Sequence, residues 1–443
     1  MKILMSHQIR ALEYAKPRAR IALFLEMRLG KTLIAIHWVK HNKSSISNIL
    51  VLAPKSVLPT WKAQLEEENQ KVQIPFGTLK ERFEQVDKFG KGWTLLNYEA
   101  ITLYPDFLSF PWDCLICDES TVLRNPSSQI TKILTKHTDD IKYKAILSGL
   151  PAPESPSDYF SQMKFLFGGF MHQQTFWHWR NRYCFQIGYG WEVKKSFIPM
   201  IKEAVHQDSF VLTRKDAGIG SKKIYEHRYV DCNSTQKSLM KEIDKKLKYS
   251  YQKEEEFTKY ATTKYLWLAR VAGGFTPKEL EVVSANKLDE IIFLLKNDLK
   301  GEQIIIWFRF NNELDFVRNE LINRKFRVGK FTADEKTGIN KDTTLSKDID
   351  VMCAQARSGK MGLPWHDSSA MIFYSNWYDF EVRAQCEDRG IHPMKKEPYL
   401  IIDLITENSI DEETVDILKG KKISSSYFMK NLDERWRIKT NGK

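Results

Sequence analysis

Short, strongly apolar runs recur near both ends of the chain and are separated by longer amphipathic stretches. Runs that are apolar on both faces are typical of parallel strands covered by helices on both sides. The pattern therefore predicts an α/β fold with two parallel sheets, one at each end of the chain. The predicted strands lie at residues 21–25, 49–53, 94–96, 114–117, 145–147, 303–308, 350–354, 371–374 and 400–405.

The middle of the chain follows a different pattern, with few strand-like runs. Amphipathic stretches at 234–248 and 254–270 predict helices there. The predicted organisation is a first α/β lobe, a mainly helical insertion with a possible hairpin near 183–195, and a second α/β lobe with a C-terminal helical tail. These three segments span residues 1–155, 156–284 and 285–443.

The charge balance of the chain is unusual for its length. Its 443 residues exceed what one hydrophobic core usually supports, and they carry a formal net charge of +12. A surplus gathered on one face favours a polyanionic partner such as nucleic acid, because binding releases counterions. The same surplus spread thinly contributes only to solubility.

The apolar runs and the cysteines limit the class of protein. No run is long enough to cross a bilayer, and the N-terminus lacks the apolar core of a signal peptide, so we expect a cytoplasmic protein. The six cysteines form no disulfide framework. Cys114 and Cys117 make a C-x-x-C pair within a predicted strand, which places them on opposite faces and disfavours zinc or redox chemistry.

A phosphate-binding sequence follows the first predicted strand. Gly30-Lys31-Thr32 precedes a predicted helix at 33–40, as a P-loop requires. Lys31 would neutralise the ATP phosphates, and the Thr32 hydroxyl would bind Mg²⁺. Leu25 occupies the place of the first P-loop glycine. Taken alone, this G-K-T is a weak signal in a lysine-rich chain.

Two acidic residues complete the pattern. Asp118-Glu119 ends a predicted buried strand, where α/β sheets place their ligands. Asp118 would hold Mg²⁺ through water, and Glu119 would orient and deprotonate the attacking water. Ser148-Gly149-Leu150-Pro151 ends the next strand, so a pair of merely solvated acids becomes a poor explanation.

These residues are part of an ordered set of motifs, from about residue 5 to 410, that resembles the SNF2-type branch of the superfamily 2 helicases. The first half resembles motifs I (25–32), Ia (Val51-Leu52-Ala53-Pro54 with Trp61), Ib (Asn97-Tyr98-Glu99), II (Asp118-Glu119-Ser120, then Arg124-Asn125-Pro126) and III (147–151). The second half resembles motifs IV (304–308), V (355–363) and VI (385–392). The resemblance implies two RecA-like lobes, ATP and Mg²⁺ as cofactors, and DNA as the track.

The resemblance also implies a role for individual residues. ATP would be bound by Gln8, which reads the adenine, and by Arg28, Leu29, Gly30, Lys31, Thr32 and Gly359. The catalytic set would be Lys31, Glu119, Gln385 and Arg389, with Arg389 as an arginine finger from the second lobe. Mg²⁺ would be held by Thr32 and Asp118. DNA phosphates would be contacted by Lys55, Ser56, Trp61, Arg309, Arg357, Ser358 and Lys360.

The chain departs from the family pattern in three places besides Leu25. Arg28 replaces a glycine of motif I, and Ser120-Thr121 replaces the Ala-His of motif II. His392 stands where a second arginine is usual, and a neutral imidazole supplies no permanent charge. We therefore expect Arg389 to matter far more for ATP turnover than His392.

Aromatic and basic residues are dense between Phe176 and Trp191. These aromatics either stack on unpaired bases or pack the insertion, and we favour packing for most of them. The tip Gly188-Tyr189-Gly190 is the better candidate for a pin that separates strands.

Three functions fit this set of motifs. The first is a helicase that unwinds or branch-migrates forked and junction DNA in replication and recombination, as the chain also resembles small phage-encoded helicases. The second is a double-strand translocase that remodels protein–DNA complexes without separating strands. The third is a non-hydrolysing nucleic-acid-binding module. We expect a monomer in a phage or bacterial host; no residue distinguishes RNA from DNA or indicates a protein partner.

Overall fold

The computed structural model describes residues 3–153, 155–187, 190–219, 222–246, 248–251, 254–257, 261–278, 280–358, 365–391 and 397–419. The chain divides into two compact units, Met1–Ile219 and Gly220–Lys443. The segment 156–284, expected as a mainly helical insertion, is therefore shared between the two units.

The first unit is built on a parallel sheet of seven strands, in the order β3-β4-β2-β5-β6-β1-β9. A separate antiparallel hairpin is formed by β7 and β8. The strands are β1 Arg20–Leu25, β2 Asn48–Ala53, β3 Val72–Gln73, β4 Gly92–Asn97, β5 Cys114–Asp118, β6 Tyr143–Ser148, β7 Cys184–Ile187, β8 Gly190–Val193 and β9 Phe210–Leu212.

Helices cover both faces of this sheet, so that two apolar clusters lie on its opposite sides. Cys114 belongs to one cluster and Cys117 to the other, which confirms their placement on opposite faces. The helices are α1 Ser6–Ala15, α2 Lys31–His41, α3 Leu58–Glu67, α4 Leu79–Phe89, α5 Tyr98–Leu103, α6 Gln129–His137, α7 Tyr159–Phe167, α8 Phe176–Tyr183 and α9 Ile198–Asp208.

The second unit contains a parallel sheet of six strands, in the order β10-β17-β16-β13-β15-β14, and a separate antiparallel pair, β11 and β12. The strands are β10 Lys223–Val230, β11 Lys248–Tyr251, β12 Glu254–Phe257, β13 Ile304–Phe308, β14 Val328–Phe331, β15 Val351–Gln355, β16 Ala370–Phe373 and β17 Tyr399–Thr406. The helices are α10 Ser234–Lys246, α11 Ala261–Ala272, α12 Asn286–Lys296, α13 Asn311–Asn323, α14 Phe380–Gly390 and α15 Ile410–Leu418.

The predicted fold class is confirmed, since all nine predicted strands are present and pair in parallel. The edge strands β9 and β10 were missed for different reasons: β9 has only three residues, Phe210–Leu212, and β10 interrupts its apolar residues with charged ones. The helix predicted at 254–270 is wrong in its first turn. Residues Glu254–Phe257 pair with β11, and the helix begins at Ala261.

A buried arginine holds α14 against the sheet of the second unit. The Arg383 guanidinium donates to both Asp403 carboxylate oxygens, to Glu387 at 2.7 Å and to the Asn376 side chain at 2.7 Å. Burial by itself lowers the pKa of Arg383, but the carboxylates of Asp403 and Glu387 outweigh it and raise the pKa above its usual value. The helix that carries Gln385 and Arg389 is therefore fixed by a fully charged group.

Replacing this arginine tests how much the buried pairs contribute. Arg383→Met removes the buried cation that pairs with Asp403 and Glu387, of which Glu387 keeps, among the described residues, only the cation Lys223. We expect the free energy of unfolding to fall by about 3–5 kcal/mol. Urea unfolding of the whole chain measures the loss. The matched control is Arg327→Met, which breaks an Arg–Asp pair with Asp350 on the surface; little change is expected there. Equal losses in the two variants would contradict this account.

Candidate functional site

Three neighbouring strands of the first unit, β5, β6 and β1, end in polar or glycine-containing segments. They are followed by Glu119, by Gly149 and by the turn at 26–30, respectively. Because parallel strands share one carboxyl edge, these segments lie side by side, at the position where α/β sheets bind ligands. The three sequence motifs are thus brought together by the strand order.

The turn after β1 depends on two left-handed residues. Arg28 has a φ of +66° and Gly30 a φ of +79°, and α2 begins at Lys31. The first N–H groups of a helix have no partners within the helix, so this end of α2 can receive phosphate oxygens. The left-handed φ also explains why glycine is usual at position 28, where this chain has arginine.

Lys31 lies beside the other two motifs. Its Nζ donates to the Leu25 carbonyl at 2.9 Å and lies 3.5 Å from the position that a Cβ of Gly149 would occupy. Its charge also acts on Asp118, where it lowers the pKa of the carboxyl. The lysine is thus placed between the turn, motif III and the acidic pair.

Gln8 is packed against the same turn. A Cβ at Gly30 would lie 2.0 Å from Gln8 Nε2, and that amide donates to the Leu29 carbonyl at 3.4 Å. His7 Nε2 lies 3.1 Å from the same carbonyl. The structure places Gln8 next to the P-loop, while its adenine role stays a prediction. His7 was not singled out from sequence, although its position beside Gln8 was a signal.

Asp118 ends β5 as a buried carboxylate. Its Oδ2 accepts from the Trp61 indole Nε1 at 2.7 Å, and its Oδ1 accepts from the Glu119 N–H at 3.0 Å. Burial raises the pKa of Asp118, whereas the Trp61 hydrogen bond, the Lys31 charge and the Glu119 N–H lower it. These contacts favour the charged form that binds a cation.

The prediction that Trp61 contacts DNA is wrong. Its side chain has 0% exposure and lies in the core beneath the carboxyl edge of the sheet, 6.4 Å from the ring of Trp93. Because the Trp61 side chain has no exposed surface, it cannot contact a DNA phosphate. Its function in this site is to hold Asp118.

A buried glutamine connects motif II to motif III. Ser120 Oγ donates to Gln162 Oε1 at 2.7 Å, and Gln162 Nε2 donates to the Pro151 carbonyl at 2.6 Å. Ser120 stands where the family usually has alanine, so this link depends on a departure from the pattern. Gln162 lies on α7, outside the motifs, and nothing in the sequence singled it out.

The acidic pair and Thr32 fit a Mg²⁺ ion that also binds phosphates. Mg²⁺ commonly takes one or two protein ligands together with substrate phosphates and water. Within the described part of the chain, each Asp118 carboxylate oxygen accepts one hydrogen bond and keeps a further lone pair. Glu119, next to it, has a φ of +50°, a backbone conformation typical of functional positions. Among the described residues, no cluster of three or more His, Cys, Asp and Glu forms a separate metal site.

The predicted residues of motif VI lie on α14 of the second unit. Arg389 is buried, and Gln385 donates through Nε2 to Glu381 at 3.1 Å. Gln385 Oε1 is buried and has no hydrogen-bond partner within the described ranges. Gly359, Lys360, His392 and the hairpin tip Gly188-Tyr189 lie outside the described residues.

Several predicted DNA contacts have accessible side chains. Lys55 is exposed and Ser56 half-buried just after β2, and Arg357 is exposed just after β15. The Arg357 guanidinium lies 4.0 Å from the ring centre of Trp377, so one of its faces is already covered. These three residues remain candidates.

Arg309 and Ser358 do not fit the predicted role. Arg309 is only 4% exposed, and its guanidinium lies 4.4–5.9 Å from the ring centres of Tyr265, Phe310, Trp377 and Tyr378. Ser358 is buried, and both its N–H and its hydroxyl donate to Gln355 Oε1. The sequence placed Arg309 correctly after a strand, but three of the four rings around it, those of Tyr265, Trp377 and Tyr378, come from distant segments of the chain.

Fold and site together define a two-unit parallel α/β protein with a P-loop turn and an acidic pair on neighbouring strands. The SNF2-related domain family matches residues 7–265, more than half of the sequence, and the chain belongs to this family. The SNF2 resemblance is thereby confirmed; the likeness to phage-encoded proteins stays a prediction.

The similar proteins are much longer than this chain. It is 23% identical over 428 residues to the ISWI chromatin-remodeling complex ATPase ISW1 of Saccharomyces cerevisiae, covering 88% of this chain and 37% of that protein. It is 24% identical over 443 residues to a SWI/SNF-related matrix-associated actin-dependent regulator of chromatin subfamily A-like protein 1 homolog of Caenorhabditis elegans, covering 92% and 60%. The chain thus spans less than two thirds of either relative.

A solved structure covers nearly the whole chain. The Sulfolobus solfataricus SWI2/SNF2 ATPase core in complex with dsDNA aligns with 95% of this chain and 91% of its own, at 18% identity and a TM-score of 0.47. In the described part of the chain, every helix is too short or too polar to cross a membrane.

The contact between Gly30 and Gln8 can be tested by a double substitution. Gly30→Ala combines a left-handed φ with an overlap on the Gln8 amide, which can move away only by giving up its hydrogen bonds to Met5 and Leu29. We therefore expect a larger loss of unfolding free energy than in Gly168→Ala, where φ is also +79° but no atom lies within 4 Å. Adding Gln8→Ala should reduce the Gly30→Ala loss to the backbone cost, about 1–2 kcal/mol. Urea unfolding of the four variants measures the coupling; strictly additive losses would refute the overlap.

Proposed function

We propose that this chain is an ATP-driven motor that moves on DNA. The observation that carries the proposal is the meeting of Lys31, Asp118 and Gly149 at one edge of the first sheet, beside the start of α2. Membership of the SNF2-related family supports it, because relatives named as ATPases or ATP-dependent helicases share this domain.

ATP hydrolysis would divide among a few residues. The N–H groups at the start of α2 and Lys31 would bind the phosphates, Gln8 would contact the adenine, and Thr32 and Asp118 would hold Mg²⁺. The Glu119 carboxylate orients the attacking water and takes its proton. From their place in motif VI, we propose that Arg389 stabilises the charge that develops on the phosphate and that Gln385 also acts in catalysis.

DNA is the track we propose. The surplus of 68 basic over 56 acidic residues supports a polyanionic partner. Lys55, Ser56 and Arg357 have accessible side chains at strand ends, and Lys360 follows in the same motif. Contacts of this kind bind phosphates and leave the base sequence unread.

On this track, we propose unwinding or branch migration of forked and junction DNA as the principal activity. The exposed aromatics of α8 and the β7–β8 hairpin support strand separation. The alternative is a double-strand translocase that remodels protein–DNA complexes, which is supported by relatives named for chromatin remodelling. A non-hydrolysing module is the third candidate, and the assembled Lys31–Asp118 site argues against it.

Paired substitutions test the motor. ATP turnover is measured with no DNA and with duplex, forked and four-way-junction DNA. Lys31→Ala should abolish turnover, and Arg389→Ala should reduce it by about 10³–10⁵-fold, as loss of an arginine finger does. The control Arg324→Ala, an exposed residue of the same unit, should leave turnover unchanged.

The DNA panel separates the candidate functions. Strand displacement on the forked substrate supports the helicase, whereas ATP-dependent displacement of a bound protein without strand separation supports the translocase. Wild-type turnover after Arg389→Ala would refute its assignment, and absence of ATP turnover in the wild type would refute the motor.

The Trp61–Asp118 hydrogen bond predicts a shift in pH dependence. The bond lowers the pKa of Asp118, which burial has raised, so Trp61→Phe should raise that pKa further. Turnover needs the ionised carboxylate; the acid limb of the pH–rate profile should therefore move to higher pH, with activity recovering at alkaline pH. Trp93→Phe, its buried neighbour, is the packing control and should leave the limb in place. An unshifted limb in Trp61→Phe would refute the role of this bond.

A further inference from the structure

Large aromatic side chains are exposed on α8 and on the hairpin that follows it. Trp177 is 60% exposed and Trp191 is 38% exposed. The interpretation that most aromatics of this stretch pack the interior holds for Trp179 and Tyr183, which are buried. It does not hold for Trp177 or Trp191.

The inner face of α8 is packed into the apolar core of the first unit. Trp179 stacks on Phe176 with ring centres 6.1 Å apart and contacts Tyr183 at 5.4 Å. Residues 176, 179 and 183 follow helical spacing and turn inward, so Trp177 projects from the opposite side. An exposed ring on a well-packed helix loses little entropy when it binds a flat partner.

Arg180 lies one helical turn from Trp177 and contacts Trp191. It follows Trp177 by three residues and is therefore its neighbour on the helix surface. Its guanidinium lies 4.2 Å from the ring centre of Trp191 on β8. Phe185 is on the other face of the hairpin, since it pairs with Glu192 while Trp191 pairs with Gln186. We call Trp177, Arg180 and Trp191 the aromatic platform.

The surroundings of the aromatic platform are basic. Between residues 176 and 195 the chain has Arg180, Arg182, Lys194 and Lys195 against a single acid, Glu192. A polyanion is therefore the complementary partner, and a partner with flat apolar faces would also use the rings. Single-stranded nucleic acid has both properties, whereas the bases of a duplex are already stacked on one another.

We propose that the aromatic platform stacks the unpaired bases of single-stranded DNA. This inference rests on the proposed function for its biological meaning, because it supplies a site for a strand separated at a fork. Trp177 provides the open stacking face, and Arg180 holds the Trp191 ring and contributes positive charge. The inference assigns base stacking to α8, while the role of the hairpin tip as a strand-separating pin stays a prediction.

The test measures equilibrium binding of the whole chain, without nucleotide, to labelled oligothymidylate. Trp177→Ala should weaken binding about 5- to 150-fold, the range that stacking of one base implies. Trp177→Phe should restore most of it, because a phenyl ring still stacks. The control Phe76→Ala removes another exposed aromatic of the same unit and should have no effect.

Two further probes separate stacking from charge. A strand of the same length with abasic sugars keeps its phosphates, so Trp177→Ala and wild type should bind it equally. Blunt duplex should likewise be bound equally. Unchanged oligothymidylate binding in Trp177→Ala, an equal loss on the abasic strand, or no single-strand binding by wild type would each overturn the proposal.

These results are independent of the motor assay, since no ATP is present. DNA-stimulated ATP turnover together with unchanged oligothymidylate binding in Trp177→Ala would reject the aromatic platform alone. Loss of binding in Trp177→Ala without any ATP turnover in wild type would reject the motor and retain the platform.

Discussion

In the site proposed for the first unit, a carboxylate that is almost completely removed from water has to stay ionised if it is to bind Mg²⁺. Burial opposes the charge of Asp118, and three neighbours favour it: the Trp61 indole, the Glu119 N–H and Lys31. Lys31 reaches Asp118 because the sheet order β5-β6-β1 aligns the ends of these strands, and Trp61 reaches it because β2, which precedes α3, pairs with β5. The strand order of the first sheet therefore determines the environment of this one charge.

The second unit also contains a buried charge, but here the charge is positive. Arg383 is a buried cation, and its cost of desolvation is offset by Asp403 and Glu387. Lys223 on β10 adds a further contact at 2.7 Å to Glu387. An edge strand is thereby tied to the helix that carries Gln385 and Arg389, so the orientation of that helix depends on residues well outside motif VI.

The sequence was sufficient to predict features that depend on residues close together in the chain. Parallel strands, the helix after Gly30 and the acidic strand end follow from hydrophobic runs and from residues adjacent in the chain. It was insufficient where the environment of a residue comes from elsewhere. Trp61 and Arg309 lie next to motifs and carry groups suited to DNA, but both are buried by segments distant in sequence. The role of Gln162 could not be read from its neighbours in the sequence, because its two hydrogen-bond partners, Ser120 and Pro151, lie in two separate motifs.

The edge strands β9 and β10 determine where the chain can be cut into fragments that each keep a complete sheet. A fragment ending at residue 155 would lack β9 and turn β1 into an edge strand. A fragment beginning at 285 would lack β10 and expose the side of β17 that pairs with it along all eight residues. Long apolar edges of this kind recruit other strands and aggregate. Fragments intended for separate expression should therefore be separated between Ile219 and Gly220, where each retains its complete sheet.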